Sequence, residues 1–334
     1  MDLSAIGNYL QSLSLPAFRQ RQIVKNYFSG HYSNFSQMTD LPLALRTDLD
    51  SKYSLFSVKE ENILTSTDSQ KALLTLGDGQ KIESVLMNYH DWLTVCVSTQ
   101  VGCPLKCKFC ATGKMGFKRN LAVEEIIDQI LFWKSTLLSK GGKGGLNVNR
   151  IVFMGMGEPF LNWDNLLAAL KIINEDLVIG ARKISISTAG VAPRIIDFAN
   201  LDTEINLAIS LHSADQITRE KMMPIARQYP LGELLKSLNY YTRTTRRQVF
   251  FEYLLAQDIN DTPHHLDLLI DFITSNNLFY LNLIPLNPIK GGLIPSSKLK
   301  YFQQELTKNK VNFSTRRSLG QSIDSACGQL IVKK

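Results

Sequence analysis

The sequence predicts an α/β fold, a partial (βα)6 barrel preceded by a small N-terminal helical accessory domain. Three observations carry this expectation. Six runs of strand character from Leu93 onward alternate with segments of helical periodicity, which implies right-handed crossovers and a parallel sheet. The first sixty or so residues show helix punctuation and no strand pattern. At 334 residues, with 44% hydrophobic and 20% charged side chains, the chain suits one large domain plus a smaller module, and it is too apolar for disorder or a collagen-like repeat.

Short helices are expected over Ile6–Leu13, over Phe18–Phe28 behind Pro16, and over Leu43–Ser51 behind Pro42. The second mixes Arg19, Arg21 and Lys25 with apolar residues, as an ordinary amphipathic helix or an RNA-contacting one would. From about 61 to 98 the period changes to two. Ala72–Leu76 and Ile82–Met87 flank the turn residues Gly77, Asp78 and Gly79, a hairpin leading into the strand Leu93–Ser98. Val123, Ile126, Ile127, Ile130 and Leu131 fall at i, i+3, i+4, i+7 and i+8, one face of a helix. Strands are then expected at Ile151–Met154, Ile184–Thr188, Ile205–Leu211, Val249–Leu255 and Tyr280–Ile284, with helices near 166–173, 194–199, 217–223, 231–241 and 264–274. Six strands are too few to close an eight-stranded barrel and suit an open one, with its active site beyond the strand C-termini. The Lys140–Gly145 stretch lacks the Gly-Lys-Ser/Thr ending of a phosphate-binding loop and reads as a surface linker. The expected organisation is a helical accessory domain over 1–60, a hairpin linker over 61–90, the barrel over 91–315 and a C-terminal segment over 316–334.

Thirty-seven Lys and Arg against 30 Asp and Glu give a formal charge of +7, which suits a polyanionic partner without requiring one. Cations gather at Lys106, Lys108, Lys114, Lys118 and Arg119, at Arg243, Arg246 and Arg247, and at Arg316 and Arg317. On one rim they would hold phosphates; taken singly, each is a solvated charge. No run approaches the roughly 18 apolar residues of a membrane span. The first residues lack the basic and apolar regions of a secretory signal, so the expected compartment is the cytoplasm, with no membrane partner.

Five cysteines, few and odd in number, exclude a disulfide scaffold. Three stand in Cys103-Pro-Leu-Lys-Cys107-Lys-Phe-Cys110, directly after the strand ending near Ser98. Three thiolates from one loop can hold three irons of a [4Fe-4S] cube and leave the fourth open to a small molecule. A structural zinc site competes, but it closes with four ligands, and His31, His90, His212, His264 and His265 supply none at conventional spacing. Inert clustered thiols are the third reading.

The C-x3-C-x-aromatic-C pattern, with Phe109 at the aromatic position, resembles the signature of the radical S-adenosylmethionine enzymes. More narrowly, Gln100–Leu121, Met154–Pro159, Ser185–Gly190, Ser210–His212, Asn282–Pro288 and Ala326–Leu330 resemble the RlmN family of RNA adenine-C2 methyltransferases, in family order across nearly the whole chain. Phe18–Arg19 and Met38–Pro42 are similar to that family's accessory domain. The resemblance implies that Cys103, Cys107 and Cys110 bind the cluster, whose open iron is chelated by the amino and carboxylate groups of S-adenosylmethionine. It further implies that Gly157, Glu158, Ser187, Ser210, Leu211, His212 and Asn287 contact that cofactor, and that a flavodoxin- or ferredoxin-like reductant supplies electrons.

The reaction implied by the resemblance is a relay, since electrophilic adenine C2 cannot itself attack a sulfonium methyl. Cys327 takes a methyl group from one S-adenosylmethionine. A second gives the 5′-deoxyadenosyl radical, which removes a hydrogen atom from the new thioether methyl, and the resulting carbon radical adds to C2. Glu83 accepts the C2 proton, and Cys96 attacks the Cys327 sulfur, freeing methylated RNA and leaving a disulfide for reduction. The implied substrates are 23S rRNA and the adenine beside the anticodon of tRNA, each unstacked to reach the site. Taken alone, Cys96 also reads as a small buried hydrophobe and Glu83 as an exposed strand carboxylate. Gln321 and Ser325 stand where the family more often has Asp and Ala, on either side of the approach to Cys327. Pro159 after Glu158 resembles the C2-specific branch more than the Cfr branch, which methylates C8.

Overall fold

The computed structural model describes residues 1, 3–139 and 148–332, so the Lys140–Gly145 stretch lies outside the described residues. Three helices open the chain, α1 (Leu3–Ser12), α2 (Ala17–Ser29) and α3 (Leu43–Lys52). Pro16 and Pro42 stand immediately before α2 and α3, where a missing N–H costs nothing. An antiparallel meander follows, β1 (Val58–Thr65), β2 (Ser69–Leu76) and β3 (Lys81–Asn88), which adds a strand ahead of the expected hairpin.

β3 pairs antiparallel with β4 (Leu93–Cys96), and from β4 onward the main sheet is parallel. β5 (Gln100–Gly102) and β6 (Phe117–Asn120) form a separate two-stranded ribbon enclosing the cysteine loop and α4 (Ala111–Met115). Then α5 (Val123–Ser139), β7 (Val148–Phe153), α6 (Trp163–Glu175), β8 (Ile184–Thr188), α7 (Ala192–Ala199) and β9 (Asn206–Ser210) alternate. They continue as α8 (Gln216–Met222), α9 (Leu231–Thr245), β10 (Val249–Leu255), α10 (Pro263–Thr274), β11 (Phe279–Pro285), α11 (Leu299–Lys308) and β12 (Phe313–Thr315). The sheet order is β1-β2-β3-β4-β7-β8-β9-β10-β11-β12. All six expected parallel strands are present. β12 is a seventh, parallel to β11 and too short for alternation to announce it.

The core explains why these residues adopt these elements. Ile126, Ile127, Ile130 and Leu131, four of the five positions read as the buried face of α5, are at most 1% exposed. Burying each contributes roughly 1.5–3 kcal/mol. β10 is a near-continuous apolar run, almost wholly buried, as a strand inside a parallel sheet covered on both sides is. The N-terminal helices join the same core through Ile6, Leu10, Ile23 and Leu49. Asp128 of α5 ties them down: its carboxylate accepts from the Met1 ammonium at 2.9 Å, from the Ser57 amide at 2.6 Å and from the Tyr27 hydroxyl. Among the described residues no helix is long and apolar enough to cross a membrane.

Candidate active site

A cavity opens at the C-terminal ends of the parallel strands. It is lined by Cys96 of β4, by Cys103, Cys107 and Cys110, by Gly157 and Glu158 beyond β7, by Ser187 and Ser210, by His212 beyond β9, by Asn287 beyond β11, and by Cys327. Of the expected site residues, Leu211 and Glu83 are missing from this lining. Leu211 is fully buried; its amide donates to the Glu252 carbonyl at 3.1 Å and its carbonyl accepts from Arg219 Nε at 3.2 Å. Glu83 is buried too, which overturns the exposed-carboxylate alternative: it lies 2.9 Å from Lys71 Nζ and accepts from the Ile331 amide at 2.8 Å.

The turn after β7 shows why glycine stands there. Gly157 has φ +103°, and a Cβ on it would fall 2.6 Å from Cβ of Gln100. The next amide, that of Glu158, donates to Gln100 Oε1 at 2.9 Å. The Glu158 carboxylate, 3% exposed, accepts from the amides of Ala189 at 2.8 Å and Phe160 at 3.1 Å. Burial outweighs these bonds and pushes its carboxyl up to about 7. Unfolded, the same group ionises near 4.5, so between those values the folded chain binds more protons. Stability from this group is therefore greatest below pH 4.5 and is lost as pH rises through 7, by up to about 3 kcal/mol. Urea unfolding of the metal-free chain at pH 5 and pH 8 is expected to show wild type losing more than Glu158→Gln by about that amount. Equal losses would mean that the carboxyl is already ionised at pH 5.

His212 takes φ +55°, and its Nδ1 accepts from the Leu254 amide at 3.3 Å, which leaves the proton on Nε2. Burial, then the neighbouring Arg219 guanidinium, push its pKa down to about 3, so the ring is a neutral donor at pH 7. Phe109, the aromatic residue of the cysteine motif, meets this ring edge-on with centroids 4.5 Å apart. The motif's aromatic position thus docks the cysteine loop onto the end of β9.

Burial pushes the Cys103 thiol up to about 12 and the Cys107 thiol well above its ordinary value, and all five cysteines are free. Three thiols from one loop, all facing one cavity with no fourth protein ligand among them, suit a cluster in which each binds a different iron, and cluster binding displaces their protons. The donor set therefore fits a [4Fe-4S] cluster better than zinc.

Cys96 and Cys327, more than two hundred residues apart in the chain, both line the same cavity. Cys327 is exposed, whereas Cys96 is buried, and burial followed by the nearby Cys327 pushes its thiol up to about 12. Sequence reasoning missed the residues around them. Arg316, read as a rim cation, turns inward: its Nη1 lies 3.6 Å from Glu252 Oε2 and 3.4 Å from the Met154 sulfur, and Cys327 is the strongest influence holding it charged. Glu252 Oε1 accepts from Asn282 Nδ2 at 3.1 Å, while its Oε2 has no hydrogen-bond partner among the described residues. One signal was available, since Glu252 interrupts an otherwise apolar strand.

Other cations are also redistributed. Arg119 pairs with Glu125 at 2.7 Å and Asp78 at 2.8 Å instead of waiting for phosphate. Arg243, Arg246 and Arg247 follow or end α9 and lead into the start of β10, so they lie at the opposite end of the barrel from the cavity. Lys106, Lys108, Lys114 and Lys118 remain exposed around the cysteine loop, and Arg317 is exposed at the cavity itself.

An open parallel barrel with this three-cysteine loop at its mouth defines a radical S-adenosylmethionine enzyme, and the sequence model described as the Radical SAM superfamily matches residues 97–269. A second, described as the ribosomal RNA large subunit methyltransferase N-terminal domain, matches residues 1–55. Relatives named probable dual-specificity RNA methyltransferase RlmN include one from Chloroflexus aurantiacus, 40% identical over 98% of this chain and 91% of its own. One from Thermus thermophilus is 39% identical over 95% of this chain and 89% of its own. The crystal structure of a radical SAM methyltransferase from Sphaerobacter thermophilus superposes with a TM-score of 0.90 at 35% identity, covering 99% of this chain and 97% of that one. The chain belongs to the RlmN family of radical SAM RNA methyltransferases. Membership brings S-adenosylmethionine and a [4Fe-4S] cluster as cofactors.

Proposed function

We propose that the protein methylates C2 of an adenine in 23S rRNA and of the adenine beside the anticodon in tRNAs, with the methyl carried on Cys327. The observation that carries this reading is the arrival of two free thiols, Cys96 and Cys327, at the cavity that the three-cysteine loop also lines. A metal-stabilised RNA-binding module would need neither there.

When bound, the cluster and S-adenosylmethionine supply a methyl cation equivalent and, on one-electron reduction, a 5′-deoxyadenosyl radical, at two S-adenosylmethionine molecules per turnover. The chain's residues do the rest. Cys103, Cys107 and Cys110 hold the cluster. Glu158 accepts a hydrogen bond from the amino group of S-adenosylmethionine, neutral His212 donates one through Nε2, and Gly157, Ser187, Ser210 and Asn287 complete the seat, with Leu211 acting through its backbone. Cys327 attacks the sulfonium methyl, with the Arg316 guanidinium beside it. Cys96 stays protonated while buried, which keeps it from attacking early; as the resolving thiol it forms a bond to the Cys327 sulfur while the bond from that sulfur to the bridging carbon breaks. Glu83, bonded to the Ile331 amide beside the Cys327 loop, is the acceptor of the C2 proton, which leaves together with one electron that the adduct radical gives up to the redox partner. Leu105, Leu254, Ile284 and Leu286 wall the cavity against water. The exposed lysines of the cysteine loop hold RNA phosphates, and a flavodoxin- or ferredoxin-like protein is the reductant, all within the cytoplasm.

Nucleoside mass spectrometry of rRNA and tRNA treated with the anaerobically reconstituted enzyme tests this reading. The expected product is 2-methyladenosine. Finding 8-methyladenosine alone would move the chemistry to C8, and a colourless zinc protein that leaves RNA unmodified would reduce the chain to a binding module.

A further inference from the structure

The segment from Gly320 to Leu330 carries Cys327 on almost no regular structure. It contains a single 3-10 turn, Gln321–Ile323, and passes through the left-handed region at Gly320 (φ +71°), Asp324 (φ +51°) and Gly328 (φ +83°). Part of its backbone is satisfied within the loop, the Ser325 amide donating to the Gly320 carbonyl at 3.0 Å and the Gln329 amide to the Ala326 carbonyl at 3.0 Å, and the Cys327 carbonyl accepts from Asn287 Nδ2 at 3.2 Å; other polar groups of the loop find partners elsewhere. On the far side they are taken by the cysteine loop: the Ala111 amide donates to the Gly328 carbonyl at 2.7 Å and Thr112 Oγ1 to the Leu330 carbonyl at 2.7 Å. On the near side they are taken by two charged residues of the antiparallel meander.

Lys71 of β2 and Glu83 of β3 pair at 2.9 Å with side chains only 6% exposed. In register Lys71 faces Val85 and Glu83 faces Leu73, so the two are diagonal neighbours across the ladder. Each spends a second bond on the Cys327 loop. Lys71 Nζ donates to the Asp324 carbonyl at 2.9 Å, and Glu83 Oε2 accepts from the Ile331 amide at 2.8 Å. Those two backbone groups bracket Cys327. A lysine this buried is uncommon unless it is paired, and here the pair faces a loop instead of closing on itself.

We propose that the Lys71–Glu83 pair is a positioning device that staples both ends of the Cys327 loop and holds its thiol at the cavity. The inference rests on the reading of Cys327 as methyl carrier for its purpose, but not for its geometry. It also gives the antiparallel meander a role in this reaction: the meander is the wall against which the carrier loop is fixed. The staple asks for a donor at position 71 and an acceptor at position 83, a requirement stricter than opposite charge.

Hydrogen–deuterium exchange of the full-length enzyme, with the alkylation rate of Cys327 by N-ethylmaleimide read by peptide mass spectrometry, tests this. In wild type the peptide spanning 324–331 should be protected; exchange there at the rate of unstructured chain overturns the staple. Lys71→Met is expected to speed exchange of that peptide and Cys327 alkylation by at least about tenfold, with exchange in β8 and β9 unchanged. Exchanging the charges, Lys71→Glu with Glu83→Lys, rebuilds an ion pair but reverses donor and acceptor. That variant should fold and still release the loop, and it carries the test if Lys71→Met does not fold. Glu83→Gln keeps an acceptor for the Ile331 amide and should stay within about threefold of wild type. Loop exchange within about twofold of wild type in folded Lys71→Met or in the charge exchange would refute the proposal. If the loop loosens as expected while wild-type Cys327 is never found methylated, the relay fails and the staple stands.

Discussion

Cys327→Ala is expected to lower RNA methylation by at least about 10⁴-fold, since removing a nucleophile that forms a covalent intermediate leaves no second route. The absorption and electron paramagnetic resonance signals of the reconstituted cluster should be unchanged, because Cys327 is separate from the Cys103–Cys110 loop and exposed where the three cysteines of that loop are buried or half-buried. Radiolabel from S-adenosylmethionine should also vanish from the protein. The loop itself should remain in place, since none of its anchors uses the Cys327 side chain: they include the carbonyls of Asp324, Cys327, Gly328 and Leu330 and the amide of Ile331. Full turnover by this variant would end the relay mechanism. Loss of the cluster together with activity would instead make Cys327 a ligand.

Cys96→Ala is expected to separate addition from release. The variant should still methylate Cys327 and add to RNA, then stop with protein and RNA joined, so that most of the enzyme migrates as a covalent complex on a denaturing gel. The substitution removes a thiol that burial has pushed to about 12 and replaces it with a side chain of similar bulk in a tight site, so folding should survive. Cys96 sits at the end of β4 with its carbonyl accepting from Ser84 Oγ at 3.0 Å, a bond that alanine keeps. Free methylated RNA at the wild-type rate would show that another group resolves the adduct and would return Cys96 to the role of a buried hydrophobe.

Much of this was legible in the sequence because it is local. The cysteine spacing, the aromatic Phe109 and the glycine turn at Gly157 are each set within a few residues, and the strand–helix alternation is written in hydrophobic period. Charge was less legible. Arg316 and Arg317 are adjacent and look alike in sequence, yet one turns inward beside Glu252 and the other stays exposed, a difference set by what lies across the barrel. Arg243, Arg246 and Arg247 resemble a phosphate patch until the direction of β10 puts them at the wrong end. Gln321 and Ser325, noted as departures, gain meaning from their partners: Gln321 Nε2 donates to Asn287 Oδ1 at 2.8 Å, and Ser325 Oγ meets Ser69 Oγ at 3.2 Å.

By itself the sequence determined the barrel, the three-cysteine loop and the family, since each depends on neighbours along the chain or on motifs that survive as strings. Tertiary structure alone decided which side chains share a cavity, which charges are spent on each other, and that Lys71 and Glu83 grip the loop of a cysteine more than two hundred residues downstream. Contacts of that separation are chosen by strand order and register, and a one-residue slip in β2 or β3 would turn these charges to the opposite face without changing a letter of the sequence.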